Sequence, residues 1–183
     1  MLFRSKGLTS GYVPLGAFFV SDRLYERLIG PEGKGKYFTN GFTYSAHPVA
    51  CAAGLKNLEI IERENILDHV RRTGPYFMER LKTLLDLPIV GDVRGSHMMV
   101  CVETVADKKT KQAMPAEWDV AYRIIRHAMP RGLMVRPLSH QVILSPPLTI
   151  GKAEIDQIVE ILGASIRAVA DDLMREGLWR EAA

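Results

Sequence analysis

The chain has 183 residues, 47% apolar and 25% charged, ordinary usage for a globular protein and unlike a disordered or fibrous one. Lysine and arginine number 24 against 21 aspartates and glutamates, and the basic residues are dispersed rather than gathered in a stripe, which leaves nucleic-acid binding without an electrostatic footprint. No apolar run approaches the ~20 residues of a bilayer crossing, and Arg4 and Lys6 break the first apolar stretch where a signal peptide would be continuous. Cys51 and Cys101 are far apart, with neither Cys-x-x-Cys spacing nor a companion histidine, so two buried, reduced thiols, no metal and a cytoplasmic protein are expected.

Residues 1–16 carry Gly7, Gly11, Pro14 and Gly16, the chemistry of a loop. An apolar run over 17–20 ends at Ser21-Asp22, a suitable N-cap for a helix over 23–29. The stretch 30–36 is a polar glycine-rich loop. From Pro48 a long helix is expected to residue 64, with Pro48 at its first position. Ala50, Ala52, Ala53 and Gly54 in its opening turns would let another backbone or a ligand approach closely. The helical period continues through Ile66, Val70, Phe77 and Leu81, and Gly74-Pro75 predicts a break and a domain change. Beyond it, strands over 89–93, 98–102, 133–135 and 142–144 alternate with a helix over 117–129. A solvated lysine-rich loop is expected over 104–115. A final helix over 152–173 has Ile155, Ile158, Leu162, Ile166, Val169 and Leu173 on one face, as a layer covering a sheet requires.

Two glycine-flanked clusters carry chemistry. A lysine that is to form a Schiff base must reach a carbonyl carbon unprotonated, which calls for a tightly shaped, desolvated pocket. Lys6-Gly7-Leu8-Thr9-Ser10-Gly11 offers the lysine, glycines that let a cofactor approach, and hydroxyls for its polar atoms. The second cluster, Gly41-Phe42-Thr43-Tyr44-Ser45-Ala46-His47-Pro48, places a hydroxyl and backbone N–H groups before a helix N-terminus, where an anion is favoured. Its plainer reading is an ordinary helix entry capped by Ser45 or His47, with the aromatics packed into core.

Together these clusters resemble class III aminotransferases. The run from Lys6 to Ala17 is similar to the family's lysine loop and that from Gly41 to Pro48 to its phosphate-contacting turn. The resemblance continues through Val93-Arg94-Gly95, Gly132-Leu133-Met134-Val135-Arg136-Pro137 and Ser145-Pro146-Pro147-Leu148. It implies an α/β protein, the C-terminal part of a pyridoxal-phosphate-dependent fold type I transferase. Residues 1–74 would end the large cofactor domain and 75–183 form a small α+β domain. By the same resemblance Lys6 would hold pyridoxal phosphate and shuttle the proton. Phe42 and Thr43 would reach the phosphate from the neighbouring subunit of a homodimer, and Arg136 would pair with a substrate carboxylate, its plainer reading being a strand-end arginine bound to a surface carboxylate. The implied reaction moves an amino group from an amine or ω-amino acid to a keto acid such as pyruvate.

Arg94 reads instead as a structural residue paired near a strand turn, and the five histidines show no catalytic or metal spacing. The sequence departs from the family at Ser96-His97 and Ser139-His140, where glycine is usual. It also departs in that the lysine is residue six, whereas the family's aspartate for the pyridine nitrogen, its stacking aromatic and most of its central sheet would precede it. Apolar surface is therefore expected to be exposed over 1–62. Two other readings stay open: a non-catalytic assembly module, and an aminomutase on the same fold.

Overall fold

A computed structural model describes residues 2–5, 7–29 and 41–180. The chain divides into two compact units, Met1–Asn65 and Ile66–Ala183.

In the first unit, strand β1 (Leu2–Ser5) pairs antiparallel with β2 (Ala17–Val20), Leu2 opposite Val20 and Ser5 opposite Ala17. The glycine-rich opening is thus a strand followed by a loop, not loop throughout. The apolar run at 17–20 supplies a partner, and Gly7, Gly11 and Gly16 all lie between the two paired strands rather than in them. Helix α1 (Asp22–Ile29) follows, and α2 (Pro48–Arg63) begins at its proline as expected. The helix ends at Glu64, and Asn65 takes a left-handed φ of 51°.

The second unit opens with α3 (Ile66–Lys82), which runs straight through the Gly74-Pro75 pair. The break predicted there falls instead at Asn65. Pro75 is exposed and forfeits one backbone hydrogen bond, a loss outweighed by Phe77 and Leu81, which lie fully buried on the inner side. Gly74 faces the β3–β4 hairpin so closely that a Cβ would lie 2.7 Å from the Cα of His97, which accounts for the small residue better than a helix break does.

An all-antiparallel sheet follows in the order β3 (Val90–Ser96), β4 (Met99–Asp107), β7 (Gln141–Leu144), β6 (Arg136–Leu138), with β5 (Gln112–Ala113) paired to the far end of β4. Helices α4 (Val120–Ala128) and α5 (Lys152–Arg175) complete the unit. Val100, Val102, Val142 and Leu144 alternate to the buried side of the sheet and join Ile124, Ile155, Leu162, Ile166 and Leu173 in one core. Arg123 also reaches across to Glu176, 2.6 Å away. Gly151 caps α5 with its N–H donated to Glu154, 3.1 Å away.

Three local expectations are corrected. The strand placed over 133–135 begins at Arg136, after Gly132 ends a short turn with φ of 88°. The stretch 104–115 is not a free loop. Thr104 and Met114 are buried, Lys108 donates to the Leu85 and Leu87 carbonyls, and Lys111 donates to that of Gly91. Cys51 and Cys101 are free thiols, half-buried rather than fully buried.

Candidate active site

Lys6 lies outside the described residues, but the loop that follows it does not. Leu8 and Ser10 are strapped to α2 by Asn57, whose amide donates to the Leu8 carbonyl (3.1 Å) and whose Oδ1 accepts from the Ser10 hydroxyl (2.8 Å). Gly54, one turn earlier on α2, is where Leu15 closes in, since a Cβ there would meet its side chain at 2.8 Å. Gly54 therefore makes room chiefly for the Leu15 side chain, with the Leu8 carbonyl 3.9 Å from where a Cβ would lie, rather than for the close approach of a backbone or a ligand. The hydroxyls of this loop differ from expectation. Thr9, 3% exposed, donates to the Val13 carbonyl and accepts from the Val13 N–H, and Ser10 is bound to Asn57. They shape the loop, with Ser10 and Gly11 both at positive φ (52° and 84°), rather than awaiting a ligand.

At the second cluster, the Ser45 hydroxyl accepts from the Phe42 N–H (3.1 Å) and the Ser45 N–H donates to the Phe42 carbonyl (2.9 Å), closing a turn one step before α2. The aromatics do not enter a core: Phe42 is 80% and Tyr44 81% exposed. His47 stands at the N-cap without a side-chain cap bond, and Pro48 has no N–H to give. The hydroxyl of Thr43, also exposed, has no partner among the described residues. A hydroxyl beside a helix N-terminus whose first N–H groups lack side-chain acceptors is a donor set that fits a phosphate.

Arg136 starts β6 in the second unit, exposed, on the rim of a trough of about 680 Å³ lined by Met99, Met134, Ile143, Pro146 and Ile158. No carboxylate pairs with it among the described residues. The other arginine of interest, Arg94, does what was expected of it: its guanidinium donates to Asp92 (2.9 Å) and to Glu103. Sequence reading missed what Glu103 gathers. His140 Nε2 (3.0 Å) and Gln141 Nε2 (3.2 Å) both donate to its Oε1, and Thr104 donates to the His140 carbonyl through its N–H and its hydroxyl. Burial pushes the Glu103 carboxyl up, but the donors from Arg94, Gln141 and His140 outweigh it and hold it below the usual carboxylate range. Strand alternation around Val100 and Val102 could have flagged Glu103 as facing away from the core. Its partners, brought in from β3 and the β6–β7 turn, could not be read locally. Among the described residues no group of histidines, cysteines and carboxylates could hold a metal.

The class III aminotransferase family model matches residues 1–166. The chain belongs to that family. It is 36% identical over 167 residues to an adenosylmethionine-8-amino-7-oxononanoate aminotransferase of Methanocaldococcus jannaschii, a match covering 91% of this chain and 36% of the relative. An (S)-enantioselective ω-transaminase of Thermomicrobium roseum superposes with a TM-score of 0.83 at 40% identity, covering 92% of this chain and 37% of that one. A pyridoxamine-phosphate-bound aminotransferase of Vibrio fluvialis gives 0.88 at 34%, covering 93% and 38%. The chain thus spans well under half the length of the relatives it matches, and its α/β fold is that of the corresponding portion of these fold type I transaminases.

Proposed function

We propose that this chain is the lysine-bearing part of a pyridoxal-phosphate-dependent aminotransferase that transfers an amino group from an amine or ω-amino acid to a keto acid such as pyruvate, and that it works in the cytoplasm as a homodimer with shared sites. The observation that carries the reading is the turn at Phe42–Ser45, which leaves Thr43 exposed at the mouth of α2 with its hydroxyl uncommitted among the described residues. The reading of a large-domain end followed by a small domain, expected as 1–74 and 75–183, is supported by the division of the chain into two compact units, Met1–Asn65 and Ile66–Ala183.

Thr43 and the turn closed by Phe42 would hold the cofactor phosphate from across the dimer, a hydroxyl and N–H groups matching a dianion. When bound, the cofactor supplies an electron sink for the carbon that bears the amino group. The Lys6 amine would serve as general base and acid, taking the proton from the substrate carbon that bears the amino group. Arg136, uncompensated at the rim of an apolar trough, binds a carboxylate through its planar fork while the trough accepts an aliphatic body. Product formation should depend on added keto acid and vanish in Lys6→Ala. Turnover that proceeds without any acceptor would favour an aminomutase and overturn this reading.

A further inference from the structure

Across the open face of the sheet, Arg136, Ile143, Cys101 and Arg94 form one row through β6, β7, β4 and β3. The neighbouring row on that face is Leu138, Gln141, Glu103 and Asp92. Glu103 is therefore the carboxylate of this face nearest to Arg136 by register, two strands away and one row over, a diagonal of roughly 12 Å at the usual strand spacing and rise. Long side chains that step toward each other can close such a gap. The two do not meet. One Glu103 oxygen is taken by Arg94, from the β3 side, and the other by His140 and Gln141. Asp92, the remaining carboxylate of the row, is likewise held by Arg94, at 2.9 Å.

We propose that Arg94 is a positioning residue for Arg136: by drawing Glu103 toward β3 it keeps an internal carboxylate from capturing the guanidinium that must stay open for a small-molecule carboxylate. The inference rests on the reading of Arg136 as a carboxylate binder. Without Arg94, Glu103 would be tethered only through the oxygen that His140 and Gln141 hold, leaving its other oxygen free to turn toward β6 and Arg136. A tethered competitor acts at an effective concentration of about millimolar, comparable with what a weak carboxylate ligand must outcompete.

The test uses the full 183-residue chain. Pentanoate is titrated while the Arg136 Nε–Hε resonance and, in every variant, the backbone amides of β6 and β7 are followed by NMR, with pentylamine as the control that lacks the carboxylate. Arg94→Met should weaken pentanoate binding by about fivefold or more, and adding Glu103→Gln should restore it to within about twofold of the parent, because the competitor is then gone. Parent-like binding in Arg94→Met, or a double variant as weak as the single one, would overturn the proposal, the latter by showing that Arg94 acts only as a brace. Should Arg94→Met fail to fold, Glu103→Gln alone decides: unchanged or tighter binding supports the proposal and weaker binding refutes it. Arg136→Ala, run alongside, separates the two claims. If it binds pentanoate as the parent does, the carboxylate reading of Arg136 fails; if it loses binding while Arg94→Met does not, only the present inference fails.

Discussion

The two units differ in where their apolar side chains go. In Ile66–Ala183 a single core takes in residues from Phe77 to Trp179, from sheet and helices alike. In Met1–Asn65, Ala50 is the buried apolar side chain among the described residues, while Tyr12, Phe18, Phe19, Phe42, Tyr44, Val49 and Leu55 are exposed. Among the described residues of the first unit, two paired strands and two helices leave their large apolar side chains exposed, as expected over 1–62 from the family resemblance. The residues proposed to serve the cofactor sit on the unit with little core, and Arg136 on the unit with a complete one.

That contrast predicts unequal costs for equivalent changes. Leu162→Ala, at a fully buried position of α5, should destabilise the second unit by about 2–5 kcal/mol, whereas Leu55→Ala, 70% exposed on α2, should stay within about 0.5 kcal/mol of the parent in chemical denaturation. Equal effects would erase the distinction between the units. Asn57→Ala should loosen the strap on the lysine loop by about 1–2 kcal/mol and speed amide exchange over 8–13 without shifting the unfolding of the second unit. Unchanged exchange would mean that Gly54 packing alone holds the loop.

Acid should act on the second unit through its tied carboxylates. Asp172 is held below its ordinary value first by the hydrogen bond from His127 and also by Arg175, and Glu103 is lowered as described. A carboxylate lowered in the folded state gives stability that is present above its unfolded value and disappears as pH falls through the folded one. Thermal stability of the second unit should therefore decline below the usual carboxylate range, and Asp172→Asn should flatten that decline; an unaltered slope would exclude Asp172 as a contributor. A small, stabilising effect is expected at Ser139, where a non-glycine residue holds a φ of 55°. Ser139→Gly should relieve the left-handed backbone and raise stability by about 0.5 kcal/mol, net of the entropy that glycine loses on folding.

Sequence reading located the helices that begin with a clear signal, such as Pro48 for α2 and the periodic face of α5. It also marked both glycine departures, and the structure shows why they stand out: His97 and Ser139 each take the left-handed conformation that glycine adopts without strain (φ 50° and 55°). What it missed was decided by partners distant along the chain. The pairing that turns residues 2–5 into a strand, the core that carries α3 through Pro75, and the donors converging on Glu103 all come from segments that no local pattern connects. The hydroxyl of Ser10 was misjudged for the same reason, because Asn57 claims it, whereas that of Thr9 is claimed locally by Val13.

The decisive measurement concerns the residue on which the proposed chemistry turns. The chain, alone and together with the complementary portion of a relative, is incubated with pyridoxal phosphate, reduced with borohydride and mapped by peptide mass spectrometry. The account predicts a stable adduct on the peptide that contains Lys6 and none on Lys56, the lysine of α2. An adduct on another lysine, or none on Lys6 even with the complement present, would contradict it.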